Sequence, residues 1–592
     1  MFKRLVSFSL MALWPTFATA FDLKIATNTL DEELRAISLI AALKGSAAPA
    51  LPQDVVAAAQ ADYARLVGVL FDSGYFAPNV SILVNNREAS EISPVQPPQQ
   101  ISKVDITVVT GKRFTLGAAR IGPLAPNTVP QPEFAKQQPA STGILRESVN
   151  VAIKDWRSQG YAKAALANQK VTANHANSSL DVDIRLAPGP QLQFGKLRVT
   201  GNDRMRTERI EDIAGLPSGQ VFSPKTLDSV ATRLRRTGVF SVVSLSEGDT
   251  IGADATINIE AQLVETKPRR FGFGADISTQ EGVGLSAYWL HRNLFGGAER
   301  LRIAGEIGGL GGDSGGEDYK LSLDFGRPAT FNEDTDFYAR AELASVNEPN
   351  FSSDRISLEA GIKRYATERR EYRLGFGFEA ANTADIFGDQ SYSILTLPIS
   401  VTFDYRDDKL DATTGYFAQV RFTPFLNISG TANGLRTAID TRAFYSLGPS
   451  KRVTLALRGQ LGSVIGPALA DAPADFLFYS GGGGTVRGHD FQSLGVDFGN
   501  GDVIGGRSFL GLSGEVRVKT GEKISVVGFY DLGYIGSEVF PDGNSGEWHS
   551  GAGVGVRYDT GIGPVRLDIA VPVDGPDDSS GVELYIGIGQ SF

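Results

Sequence analysis

The sequence contains no cysteine in 592 residues, so it can form neither disulfides nor thiolate metal sites. Histidine is nearly absent too. The four present, His175, His291, His489 and His549, are scattered, which argues against a histidine-built metal centre. Beyond the N-terminus no run of about 18 apolar residues occurs, so no transmembrane helix is expected. Positive charge is in deficit, and a net charge of −10 argues against a general nucleic-acid binder. Glycine, by contrast, is plentiful. Its 68 positions make up about 11% of the chain, against a usual ~7%.

The first twenty residues read as a secretory leader. Met1-Phe2-Lys3-Arg4 is basic, Leu5 to Phe17 is apolar, and Ala18-Thr19-Ala20 supplies small residues for cleavage before Phe21. About 13 apolar residues are too few to span a bilayer. Without a cysteine at the cut, a lipoprotein anchor is excluded.

The next 250 residues repeat one order of elements. After a strand over Phe21–Ala26, a helix carrying Leu34, Ile37 and Ile40 is expected, then one carrying Leu66, Val67 and Leu70. A loop over Ser93–Gln100 separates strands at Asn79–Val84 and around Val104, Ile106 and Val108. Leu145, Val149, Ile153 and Trp156 begin a second round, with strands near 164–174 and 179–187. Leu227, Val230, Ala231 and Leu234 begin a third, with strands at 241–246 and 254–263. The stop glycines Gly74, Gly160 and Gly238 are near-evenly spaced, the mark of tandem modules. Each is expected to be a small α+β unit, two helices on about three strands.

Leu197-Arg198-Val199-Thr200-Gly201-Asn202, with Gly219-Gln220-Val221-Phe222 and Gly238-Val239-Phe240, resembles a POTRA (polypeptide-transport-associated) domain. The resemblance implies a periplasmic arm of β-α-α-β-β modules whose sheet edges are offered to client or partner chains. The divisions expected are 1–20 leader, 21–110, 111–189 and 190–266 POTRA modules, and 267–592 barrel.

From Pro268 onward helical stripes give way to period-two alternation. Phe271, Phe273, Ala275 and Ile277 alternate with Gly272, Gly274, Asp276 and Ser278. Tyr372 to Phe378 and Val565 to Val571 do the same, with charges in the other register. Aromatics outside and charges inside suit a transmembrane antiparallel β-barrel with a wet lumen, whereas a soluble sandwich needs the reverse. At about 20 residues per strand and connection, 267–592 gives about 16 strands.

Trp289-Leu290-His291-Arg292-Asn293-Leu294-Phe295-Gly296, Asp404-Tyr405-Arg406-Asp407 before Gly415-Tyr416, Val486-Arg487-Gly488-His489, Phe529-Tyr530-Asp531-Leu532-Gly533 and Gly561 to Asp568 together resemble the BamA/TamA outer-membrane insertase superfamily. Within it the chain looks TamA-like. The resemblance implies that Arg487, flanked by Val486 and Gly488, sits on a long external loop folded into the lumen. There Asp531 is its expected partner and Glu515 a second. His489 stands where the family has Tyr or Phe, which admits a pH-sensitive contact. A weak seam is implied between the first strand, with Phe271 and Phe273, and the last, with Leu584, Ile586 and Ile588. Phe592 completes a terminal signal. The implied function is insertion of barrel proteins such as autotransporters into the outer membrane, without enzymatic chemistry, cofactor or metal. Implied partners are outer-membrane lipids, unfolded outer-membrane protein clients and a TamB-like inner-membrane-anchored periplasmic protein. A two-partner secretion pore and a BamA-like core assembly protein are the alternatives.

Two motifs are decoys. Gly312-Asp313-Ser314-Gly315-Gly316 spells a nucleophile segment but lies between strands in a glycine-rich, acidic setting. Gly481-Gly482-Gly483-Gly484 lacks the Lys-Ser/Thr ending of a phosphate loop.

Overall fold

A computed structural model describes residues 21–46, 50–278, 282–312, 315–430, 433–499, 501–561, 563–575, 581–588, 590 and 592. The leader and the Asp313-Ser314 pair lie outside them. The chain divides into two compact units. One runs through Gly195 and adds Ser218–Lys225 and Asp249–Ile257; the other holds Lys196–Pro217, Thr226–Gly248 and Asn258–Phe592.

In the first unit, strands Asp22–Thr27, Lys103–Val109, Asn79–Val84 and Arg87–Glu88 form one sheet in that order. The expected first helix is two, Asp31–Ile37 and Leu39–Gly45. Ser38 breaks it for a stated reason. Its hydroxyl accepts from Ala41 N–H at 3.1 Å, capping the second helix, and donates to Asp62 at 2.6 Å. Asp62 also accepts from the Leu39 and Ile40 amides. Helix Pro52–Asp72 then buries Val56, Leu66 and Leu70 against Ile82, Val104 and Ile106.

The second module departs from the expected pair of helices. Among the described residues it has strands Thr115–Gly122, Ser179–Ala187 and Ala165–Asn174 in that sheet order, and one helix, Thr142–Ser158. The segment before that helix is irregular because Pro123, Pro126, Pro130, Pro132 and Pro139 interrupt it, and proline removes the donor a helix interior needs.

In the third module, strands Gln193–Thr200, Thr256–Glu265 and Phe240–Ile251 carry helices Thr207–Ala214 and Pro224–Arg236, as its sequence suggests.

The remainder closes into an antiparallel barrel from Arg269–Ser278 to Glu583–Ile588. Its seventeen segments make sixteen strands. Gly388–Thr396 and Ile399–Asp404 are halves of one strand, broken at Leu397-Pro398, and both pair with Arg370–Asp385. The alternation holds. Phe271, Phe273, Ile277, Tyr372, Leu374, Phe376, Val565, Leu567 and Ile569 are exposed on the outer face. Exposed Tyr372, Tyr416, Tyr445 and Tyr558 sit near one end of their strands and Tyr319 and Trp548 near the other. Two aromatic girdles around an apolar band are what a bilayer requires.

The third module marks one end of the barrel. Arg233 grips Asp334, in the turn after strand Asp318–Asn332, with Nε to Oδ1 at 3.0 Å and Nη2 to Oδ2 at 2.7 Å. The Arg236 guanidinium lies 3.8 Å from the Tyr365 ring centre. Arg209 donates to the Pro328 carbonyl at 2.7 Å, and the Arg206 amide to the Gly296 carbonyl at 2.9 Å. The Trp289–Gly296 motif is thus the turn this module rests on. Burial pushes the Asp334 carboxyl up, but hydrogen bonds and charge from Arg233, with the Arg236 cation, hold it below the usual range.

Candidate functional site: a buried charge cluster and a short seam

Strands Val453–Ile465 and Ser508–Lys519 pair directly, so residues 466–507 leave and re-enter the barrel at the end away from the third module. Their middle is a compact turn. Thr485 Oγ1 accepts from the Gly481 amide and donates to its carbonyl, and the Gly482 amide donates to the His489 carbonyl. Only part of the glycine run is obligatory. Gly488 has φ +100° and a Cβ there would lie 2.5 Å from the Val571 backbone, whereas a Cβ on Gly484 would meet open space.

This turn delivers Arg487, 2% exposed, into a pocket of acids. Nε and Nη2 donate side by side to Asp531 Oδ2 and Oδ1 at 2.7 and 3.0 Å, and the Arg487 amide adds a 3.2 Å bond to Oδ2. Nη1 reaches Glu515 Oε1 at 2.8 Å and Asp568 Oδ2 at 3.4 Å. Phe529 stacks beneath, its ring centre 3.5 Å from the guanidinium carbon. Strand alternation supplies this wall. Glu515, Asp531 and Asp568 occupy inward positions on three strands, between outward Val516, Tyr530 and Leu567.

Two further arginines complete the cluster. Arg517 donates to Glu515 Oε2 at 2.8 Å, and Arg557 binds both oxygens of Asp568. Three guanidiniums face three carboxylates, so the buried group carries no net charge. Asp531 and Glu515 stand where the motifs place them. Asp568, Arg517, Arg557 and Phe529 are additions, and the signal for Asp568 is its place in the Gly561–Asp568 motif. Val486 is buried over Gly533, and Gly488 N–H donates to Tyr585 OH at 3.2 Å, tying the turn to the last strand.

His489 is fully buried. Nε2 lies 3.0 Å from the Ser550 carbonyl, which only accepts, so Nε2 carries the proton. Its ring meets His549 edge to face at 5.8 Å. His549 Nε2 is 2.7 Å from Ser480 Oγ.

The barrel closes weakly. Arg269–Ser278 pairs along its whole length with Gly282–His291, but with the last strand, among the described residues, only through Ile277 opposite Ile586 and Ser278 opposite Tyr585. Residues Arg269–Asp276 have no ladder partner on that side among the described residues. Phe271 and the 84% exposed Phe273 flank this open edge on the outer face. Leu584 and Ile586 lie on the last strand; Ile588 is in it too, its side chain outside the described set.

Phe592, the terminal aromatic, is buried in the lumen with Phe444, Ala412 and Ala456. Arg517 lies 5.5 Å from its ring centre, an attraction no lipid-facing position offers. Asp411 helps hold it there by accepting from Gln590 at 2.9 Å. The turn carrying Asp411 is built by the Asp404–Asp407 motif. Asp404 pairs with Arg406, and Asp407 accepts from the Thr413 and Thr414 amides. Burial pushes the Asp407 carboxyl up, but those bonds and the Thr413 hydroxyl hold it far below its usual range.

With this geometry in view, comparison with known proteins is decisive. A family profile described as the Omp85 superfamily domain matches residues 293–592, just over half the chain. The chain belongs to the Omp85 superfamily. A second profile, POTRA (surface antigen variable number repeat), matches 192–262, the third module. This Omp85 chain is 23% identical over 563 residues to outer membrane protein assembly factor BamA of Neisseria meningitidis serogroup B, across 83% of its own length and 68% of that protein. Its fold matches BamA from Haemophilus ducreyi lacking POTRA domains 1–3, with a TM-score of 0.63 at 15% identity over 80% of this chain and 100% of that one. It also matches CdiB from Acinetobacter baumannii, with a TM-score of 0.52 at 12% identity over 81% and 90%.

Proposed function

We propose that this Omp85 protein is an outer-membrane assembly factor that inserts β-barrel clients through its seam, without enzymatic chemistry. One observation carries the reading: among the described residues two residue pairs join the first and last strands, while neighbouring strands pair along their lengths. The eight residues Arg269–Asp276, without a ladder partner there among the described residues, form an edge that can accept an extended client strand by main-chain hydrogen bonding. Gly587 weakens the last strand further, since glycine brings no side chain to pack. The similarity to BamA supports the placement, with the barrel in the outer membrane and the modules in the periplasm.

In this reading Arg487 is a lumenal latch. It ties the external loop to strands near the seam and, through Gly488 and Tyr585, to the last strand itself. The modules span 21–110, 111–189 and 190–266. Strand Ala165–Asn174 of the second pairs only with Ser179–Ala187 and is exposed along nearly all its length, which suits an extended client or a TamB-like partner. A TamA-like role with autotransporter clients is the finer reading; a BamA-like core role is the second, favoured by the Neisseria relative.

The test is photo-crosslinking in cells from Phe273 and Val171, replaced one at a time by a photoreactive residue. Capture of several different barrel proteins at Phe273 supports insertion. Capture of one exported protein, or of none, removes it.

A further inference from the structure

The long external segment carries a second anchor, of opposite sign, on the other side of the ring. Asp475, in the short turn Ala474–Phe476, accepts three hydrogen bonds at 2.7 Å, from Arg355 Nη1, Ser353 Oγ and Tyr392 OH. Its neighbour is recognised as closely. The Phe476 ring packs among Tyr392, Ile394, Phe425 and Val464, meeting Phe425 edge to face at 4.9 Å. The Phe476 carbonyl accepts from Arg436 Nε at 2.9 Å. An acid, an aromatic ring and a backbone carbonyl are each read by a dedicated group, which is how a peptide site is built rather than a lone ion pair.

This cradle opens on a lumenal cavity of about 590 Å³ that reaches Arg236 and Thr237 of the third module. Among the described residues its lining holds nine cationic side chains against five acids, apart from Asp475 itself. Most of those cations already have carboxylate partners, as Arg340 has in Glu342. Four lining arginines, Arg300, Arg327, Arg421 and Arg436, have no ion pair among the described residues, and Arg436 is engaged by the Phe476 carbonyl. Their guanidiniums cannot shed charge, so the cavity keeps an unspent capacity for carboxylates. The loop fills one acid position and leaves the others open.

We propose that the cradle and the arginine-lined cavity bind an acidic, aromatic-containing stretch of a second polypeptide, and that residues 471–477 of the loop occupy the cradle in its absence. That the second polypeptide is a client rests on the insertase reading; the binding site itself does not. An incoming Asp-Phe pair would take the Arg355–Tyr392 and Arg436 contacts, and its flanking acids would reach Arg421 and Arg327. The displaced loop would then be held at its far side by Arg487 and the neighbouring contacts of Gly488 with Tyr585 and His489 with Ser550.

The test uses the full chain in detergent micelles and a fluorescein-labelled peptide of the loop's own sequence, Asp-Ala-Pro-Ala-Asp-Phe-Leu. Asp475→Asn, which weakens the internal competitor, should bind the peptide about tenfold more tightly than the unsubstituted protein. Adding Arg421→Ser should lower that affinity about fivefold without changing heat-modifiable migration, because this arginine holds no ion pair among the described residues. A peptide with both aspartates changed to asparagine should not bind. Equal binding with and without Asp475→Asn, or binding indifferent to Arg421→Ser or to the peptide's acids, overturns the proposal. If Asp475→Asn fails to fold, a photoreactive phenylalanine in the peptide must label strand Gly388–Thr396 or Gly415–Asn427 of the unsubstituted protein, which carry Tyr392, Ile394 and Phe425; absence of that label also overturns it. Neither readout uses client assembly. Failure here leaves the insertase reading standing, while protein that binds peptide yet captures no client in cells removes that reading and leaves the cradle.

Discussion

Arg487 and Asp531 form a forked pair inside the barrel, with parallel hydrogen bonds of 2.7 and 3.0 Å and neither side chain open to water. Such a pair is costly to break from one side, because the partner left behind stays charged and dry. Arg487→Met should lower stability by about 3–5 kcal/mol, whereas Arg487→Met with Asp531→Asn should recover part of the loss. Urea unfolding followed by heat-modifiable migration gives both numbers. A double-variant loss equal to the sum of the two single losses would show that the pair is not coupled.

The seam should be the functional opening. The chain has no cysteine, so a disulfide can be added without interference. Ile277→Cys with Ile586→Cys joins residues that already face each other across the ladder. Oxidised, the protein should stop assembling clients, and reductant should restore them. Unchanged assembly by a locked barrel would rule out lateral entry at this edge.

Two glycines from one run should behave differently. Gly484→Ala should change stability by no more than about 0.5 kcal/mol, while Gly488→Ala should cost more than about 1 kcal/mol, since its backbone is left-handed and Val571 blocks the new methyl. The same unfolding assay ranks them. Equal effects would mean the turn does not hold its geometry.

The third module should loosen in acid. The Asp334 carboxyl sits below its ordinary range, so its grip on Arg233 is fully present above about pH 4, the value for a free aspartate, and fades as pH falls through the lowered one. Spin labels on the third module and on strand Thr335–Glu348 should report wider distances at the acid end. Asp334→Asn should show that wider distribution at neutral pH and no further pH response.

Much of this was readable from residues alone, for identifiable reasons. Barrel strands advertise themselves because lipid and lumen select opposite side chains at alternate positions, and Arg487, Asp531 and Glu515 sit in motifs whose order is fixed. The split first helix was hidden because Ser38 acts through Asp62, 24 residues away. The missing helix of the second module was in plain view in five prolines. Asp475 gave no signal: one acid among alanines and prolines means nothing until the barrel brings Arg355 and Tyr392 to it. Phe592 shows in the sequence as a terminal aromatic, but the lumenal pocket of Phe444, Ala412 and Ala456 that takes its ring exists once the barrel is folded.

The seam's two joined pairs have a position as well as a number. Both lie at the end of the barrel remote from the third module, with eight residues of the first strand unjoined on the module side among the described residues. A fastening held at one tip parts in one direction. Each further millimetre of a zipper follows the last, and here the chain would yield from the inside outward, rung by rung at about 1 kcal/mol per hydrogen bond exchanged. An edge fastened this way has a built-in arrow, set by where two residue pairs meet.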